Sequence, residues 1–284
     1  MKNFNLKGYE QSIKTSRMVK QSLIGEDKEV IPIEEWDLGE ESPLLHPIKE
    51  HFYHPHTERM FDYVMNTFTP SHKIALFTNC TAKKPYSSTL TYKRIIGATS
   101  PYENIYDLIT ISSIGIIPAQ FEKYYPFSHY AWDDNHSTKA EVKEVFHEVI
   151  GKRVKEFLEK FNYDYIIGVF RVTSKGKKAL RFACDILNKP LIEIPSAISF
   201  EKMQDNCVKM NTFQLTNNDT LGELNNVLKM LSEGVHVEAR QSWTSNKVHD
   251  VVSARMKMRR QQRLDLKNQG YSSEEIDEIL YTKK

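Results

Sequence analysis

At 284 residues, with 40% hydrophobic and 27% charged side chains, the chain can bury a large core and has the balance of a soluble globular protein, which excludes fibrous and disordered classes. A net charge of +2 supplies no global field toward nucleic acid, so any such binding rests on a local patch. Three widely spaced cysteines, Cys80, Cys184 and Cys207, argue against a disulfide framework or thiolate zinc motif and for a reducing cytoplasm, and no apolar run approaches the roughly 18 residues of a spanning helix.

Residues 1–55 read as an irregular N-terminal arm, punctuated by Pro32, Pro43, Pro47 and Pro55, with one short strand at Glu29–Ile33. Its histidines, His46, His51, His54 and His56, lack regular ligand spacing and are read as surface or packing residues, with no metal expected. An α/β core is expected over 56–235. Met60, Phe61, Val64, Met65 and Phe68 follow helical spacing and feed a buried strand at Lys73–Thr78. The loop NCTAKKPY follows, then a helix over Ser87–Gly97 ended by its glycine, and a second strand over Ile105–Ser112. Residues 113–118 read as a loop leading into a short helix that begins at Pro118, and the aromatic stretch 124–136 as an ordered loop.

Thr138 and Glu141 form a capping-box pattern before a long helix whose apolar face runs from Val142 to Phe161. A third strand covers Tyr163–Phe170, a helix capped by Ser174 places Cys184 on its apolar face, and a fourth strand covers Pro190–Pro195. Four strands separated by helices describe a mostly parallel sheet covered on both faces. Thr220–Ser232 adds an amphipathic helix. Residues 236–284 form a basic helical extension: between Lys247 and Lys267 seven cations face two carboxylates, and Met256 and Met258 suggest a partly packed face.

Chemistry concentrates at the carboxyl ends of the strands, the usual ligand edge of an open α/β sheet. Cys80 has two readings: a small buried residue, the commoner fate of a free cysteine, or a thiolate nucleophile activated by Lys83 or Lys84. Lys84 is likewise either a solvated loop lysine or a desolvated, reactive amine. Arg171, Ser174, Lys175, Lys177 and Lys178 open a helix after the third strand, where they suit either a phosphate or a solvated basic face. Tyr86, Tyr92, Tyr124, Tyr125, Phe127, His129, Tyr130 and Trp132 supply rings for base stacking or for the core.

The stretch NCTAKKPYSSTLTY resembles the core motif of archaeosine synthase and its relatives among the archaeal tRNA-guanine transglycosylases: Pro-Cys, three residues, Lys-Pro-Tyr, two residues, Ser, two residues, His. Cys80, Lys84, Pro85 and Tyr86 match at the right spacing, Thr89 stands for the serine, and Asn79 and Tyr92 replace the proline and histidine. A second segment from Ile111 to Asp134 is similar to the same family's Ser-Ser, Gly, Pro, Tyr-Pro and His-Tyr-x-x-Asp pattern, carried here by Ser112, Ser113, Gly115, His129, Tyr130 and Asp133. The resemblance covers roughly residues 70–200.

It implies a uracil-DNA glycosylase-like α/β fold and a reaction on 7-cyano-7-deazaguanine in nucleic acid, in which an amine adds to the nitrile to give an amidine. Cys80 and Lys84 become the catalytic candidates, and Asn79, Tyr86, Thr89, Tyr92, Ser112, Ser113, Gly115, His129, Tyr130 and Asp133 the substrate-binding ones. Partners expected on that basis are DNA or tRNA carrying the deazaguanine, an amine donor and a possible second enzyme subunit; no cofactor and no membrane are expected. The chain has no room for the family's transglycosylase-like barrel, so the expectation is a stand-alone core, acting on a DNA deazaguanine of the kind found in bacteriophage genomes or with a separate partner. The competing reading is a non-catalytic base or nucleic-acid reader that recruits another enzyme. A glycosidic-bond reaction using Asp133 or Asp134 ranks last.

Overall fold

The structure, a computed structural model, describes residues 29–30, 52–81, 84–122, 124–125, 127 and 140–281. The expected readings of His46, His51, Lys83, His129, Tyr130, Trp132, Asp133, Asp134 and Thr138 lie outside the described residues. In chain order the elements are β1 (Glu29–Val30), α1 (Pro55–Thr67), β2 (Ile74–Asn79), α2 (Leu90–Thr99), β3 (Tyr106–Ile111), β4 (Ile116–Pro118) and β5 (Tyr124–Tyr125). There follow α3 (Ala140–Val145), a π-helical turn (Phe146–Ile150), α4 (Gly151–Lys160), β6 (Tyr165–Val169), α5 (Lys175–Ile186) and β7 (Leu191–Ile194). The chain continues through α6 (Ala197–Met203), α7 (Cys207–Thr212), α8 (Asn218–Ser232), α9 (Ser245–Asn268) and α10 (Ser273–Tyr281).

The main sheet has five strands in the order β4-β3-β2-β6-β7, one more than the sequence pattern predicts. Four are parallel, and β4 closes one edge as an antiparallel partner of β3, Ile116 opposite Ile111. The region read as a loop at 113–118 is therefore a tight turn followed by a strand. Gly115 has φ +154 and Ser112 ties the turn, its Oγ accepting from Ile114 N and Gly115 N at 3.1 Å. Pro118 ends β4 and a single 3-10 turn follows it at Ala119–Phe121 in place of a helix. At the other edge, residues 239–241 run beside β7: Arg240 N donates to the Leu191 carbonyl and Glu193 N to that of Arg240. That covers what would otherwise be an open strand edge.

Alternation along β2 decides which helix packs where. Ala75 and Phe77 face a cluster with Phe68, Phe157 and Leu180, from the α1, α4 and α5 side, whereas Ile74 and Leu76 face Ile95, Leu224 and Leu228 of α2 and α8. Both faces of the sheet are thus covered. Cys184 is buried in the first cluster, as its spacing predicts. A third cluster joins Val172, Phe200, Met203, Met210, Trp243 and Val248, and anchors the first turns of α9. Met256 and Met258, expected to pack, are instead exposed, because the apolar contact of α9 is made by Val248, Val251 and Val252.

Candidate functional site

β2 lies between β3 and β6, and the chain leaves β2 toward β3 on one side while it leaves β6 toward β7 on the other. Their carboxyl ends thus form a topological switch point, the place where open α/β sheets bind ligands. Asn79 ends β2 within it. Its side-chain amide donates to the Cys80 carbonyl at 2.9 Å, and its Oδ1 accepts from Arg171 N at 3.5 Å, so one side chain spans the two diverging strands. Cys80 N donates to the Ile111 carbonyl of β3, which fixes the thiol-bearing residue between three strand ends. Cys80 is half-buried and packs against the larger core cluster.

Four residues further on, Lys84 is only 5% exposed. Burial drives the Lys84 amine down to about 8, and among the described residues it is Cys80 that opposes that shift. Pro85 leads into a 3-10 turn at Tyr86–Ser88. Tyr86 is buried, its ring stacked on Tyr92 at 5.6 Å. Thr89 caps α2: its hydroxyl accepts from Tyr92 N and donates to the Tyr86 carbonyl at 2.7 Å. The Tyr92 hydroxyl meets Thr78 and Thr110, side by side on β2 and β3, in a buried hydroxyl cluster under the loop. Burial pushes its pKa far up, so it is not a base near neutral pH.

Of the residues singled out from sequence, the structure therefore gathers Asn79, Cys80, Lys84, Tyr86, Thr89, Tyr92, Ser112, Ser113 and Gly115 at the ends of β2 and β3, with Arg171 beside them. Thr89, Tyr92, Ser112 and Gly115 serve there as cap, floor and turn, each hydroxyl already engaged. The basic set after β6 divides. Arg171 and Lys178 are exposed, Ser174 caps α5, and the Lys175 ammonium lies 5.7 Å over the Phe146 ring. Lys177 is not at the surface: 6% exposed, it donates to the Trp243 carbonyl at 3.3 Å and lies 3.9 Å from Glu193, so its charge is spent inside the protein.

Two groups escaped the sequence reading. Glu122, 9% exposed after β4, accepts the Ser87 amide at 2.7 Å; burial raises its carboxyl pKa, against hydrogen bonds from Ser87 and Tyr86. Its only signal is a lone acid in an otherwise aromatic stretch. His147, on the π-helical turn, is held below the usual imidazole range by burial and by Lys178 and Lys175, which places it beside the basic patch. His54 accepts from His56 N at 3.1 Å and is driven to about 4 by burial; among the described residues no three His, Cys, Asp or Glu side chains converge on a metal position.

A model for a domain of unknown function, DUF5591, matches residues 57–228, more than half of the chain and all of β2 through α2, β3, β6, α5 and β7. The chain belongs to the DUF5591 family. The switch-point site lies wholly within the DUF5591 domain. Archaeosine synthase subunit alpha of Thermoplasma acidophilum is 36% identical over 83 residues, 28% of this chain and 16% of that protein. Archaeosine synthase subunit alpha of Methanosarcina acetivorans is 34% identical over 62 residues, 22% of this chain and 10% of that protein. The matches thus span less than a fifth of either relative's length. The crystal structure of AF0587, a protein of unknown function, aligns with 68% of this chain and 53% of its own at 14% identity and a TM-score of 0.39.

Proposed function

We propose that the protein modifies a 7-deazaguanine base in nucleic acid by adding an amine to the nitrile of 7-cyano-7-deazaguanine, giving an archaeosine-type amidine. The observation that carries this reading is the burial of the Lys84 amine beside Cys80 at the switch point. The kinship with two archaeosine synthase alpha subunits supports the substrate class.

The chemistry balances without a redox partner. The Cys80 sulfur adds to the nitrile carbon, the C≡N bond loses one π bond, and a proton reaches the nitrogen to give a thioimidate. The incoming amine then forms a C–N bond at the same carbon. The C–S bond breaks, the thiol is restored, and the net reaction is nitrile plus amine to amidine. An amine titrating near 8 is present in both protonation states in neutral solution, so Lys84 suits the transfer of a proton between Cys80 and the nitrile nitrogen. Exposed Arg171, whose amide meets Asn79 at the switch point, is suited to a phosphate next to the base, and exposed Lys178 adds a further cation on the helix that follows.

The test is nucleoside mass spectrometry after incubating the protein with DNA or tRNA carrying 7-cyano-7-deazaguanine, with ammonia, glutamine or lysine. A nucleoside that gains the mass of the amine with wild-type protein, and does not with Cys80→Ala, meets the expectation. Retained nucleic-acid binding with no mass gain under any donor would overturn it in favour of a base reader.

A further inference from the structure

Lys84 lies on a loop whose sequence gives it no regular structure to hold it down. The residues that follow, Tyr86–Ser88, form one 3-10 turn, and a single turn of that kind closes too few hydrogen bonds to be stable alone. Something outside the loop must fix it. The carboxylate of Glu122 arrives from across the sheet edge, 35 residues further on, through β3, the Ser112–Gly115 turn and β4. Its Oε1 accepts Ser87 N at 2.7 Å, and the amide of Tyr86 and the side chain of Ser87 also hydrogen-bond to it. These are the donors that the turn itself leaves unsatisfied at its start, and an acid is well suited to accept from them.

We infer that Glu122 is a positioning residue: by holding the amides of Tyr86 and Ser87 it seats the 84–88 loop so that Lys84 stays buried near Cys80. The inference rests on the proposed site but not on its reaction. In this role Glu122 acts on the backbone of the loop, not as the counter-ion of Lys84. The titratable groups here sort accordingly: Cys80 is the described neighbour that bears on the Lys84 amine, whereas Cys80 and Glu122 both bear on Tyr92 beneath the loop. A fixed β3–β4 edge is thereby coupled to the reactive loop, and Arg153 holds that edge in turn by donating to the Ile114 carbonyl at 3.1 Å.

The sign of one measurement separates a seat from a counter-ion. The titration of Lys84 in the full chain is read by competitive trace acetylation across pH 6–11 with peptide mass spectrometry, in wild type, Glu122→Gln and Glu122→Ala. Lys84 of the wild type is expected to titrate near 8. Glu122→Ala releases the loop, Lys84 gains water, and its midpoint rises by roughly two units toward the ordinary lysine value. Glu122→Gln keeps an acceptor for Ser87 N and is expected to hold the midpoint within about half a unit of wild type. A midpoint that falls in both variants makes Glu122 an electrostatic partner and overturns the inference, as does one that stays put in Glu122→Ala. Circular dichroism on the same samples establishes that each variant is folded, and because acetylation needs no turnover, this result stands apart from that of the nucleoside assay.

Discussion

The Tyr92 hydroxyl lies 2.5 Å from Thr110 Oγ1 and 2.6 Å from Thr78 Oγ1, so a helix side chain closes a polar contact between two neighbouring strands directly below the 84–88 loop. All three side chains are almost fully buried. Tyr92→Phe keeps the ring stacked on Tyr86 but leaves both threonine hydroxyls short of a partner. Unfolding in urea should show a loss of about 1–3 kcal/mol. A loss near zero would mean that Thr78 and Thr110, which are in register, bond to each other instead.

Gly115 occupies the turn between β3 and β4 with φ +154, a conformation other residues adopt only under strain, and an added Cβ would lie 2.6 Å from Met60 Cε. The methionine end can move away; the backbone cannot change without breaking the Ser112–Gly115 bonds. Gly115→Ala is expected to cost about 1–3 kcal/mol in the same unfolding assay. An unchanged midpoint would show that this turn tolerates another geometry.

Much of the fold was legible because periodicity is a local signal. The apolar runs at Ile74–Phe77 and Ile166–Val169 and the helical face from Val142 to Phe161 read correctly, whereas Cys80 and Lys84 became catalytic candidates only through the family resemblance. What the sequence hid depends on tertiary contact. β4 is three residues long and ends in proline, so no period identifies it, and only pairing with β3 makes it a strand. Gly97 does not end its helix, which continues to Thr99, because Ile95 and Thr99 are held in the core. Lys177 reads as one cation in a basic run, and its inward turn follows from Glu193, a strand residue 16 positions on that no spacing rule links to it. Glu122 was silent for the same reason: its partner, Ser87, lies 35 residues earlier.

That Glu193 is itself a test of where the basic run points. It is 2% exposed, accepts Arg181 Nε at 3.0 Å and Ser242 N at 2.7 Å, and faces Lys177, whose amine burial lowers to about 8. Glu193→Gln leaves a buried ammonium and a half-buried guanidinium uncompensated, and the expected loss is about 3–5 kcal/mol. Lys177→Met in the same background removes one stranded charge and should return part of that loss. Were Lys177 at the surface on a phosphate, the second substitution would return nothing.

Lys84 should cost stability at neutral pH. Its folded-state pKa lies below its unfolded one, so between about 8 and the ordinary lysine value the unfolded chain binds more protons and stability rises with pH. Below about 8 the full cost of burying the ammonium is present; above the unfolded value it is gone. Lys84→Met, which fills the same space without a charge, should therefore stabilise the protein at pH 7 by up to about 3 kcal/mol, and by much less at pH 10. Urea midpoints of wild type and variant at those two pH values read the difference directly. A gain equal at both would assign it to better packing, and a loss at pH 7 would mean that the ammonium is held by bonds strong enough to offset its burial. A gain larger at pH 7 than at pH 10, paired with loss of the mass gain in the nucleoside assay, is the pattern of a residue kept for reactivity against the interest of the fold.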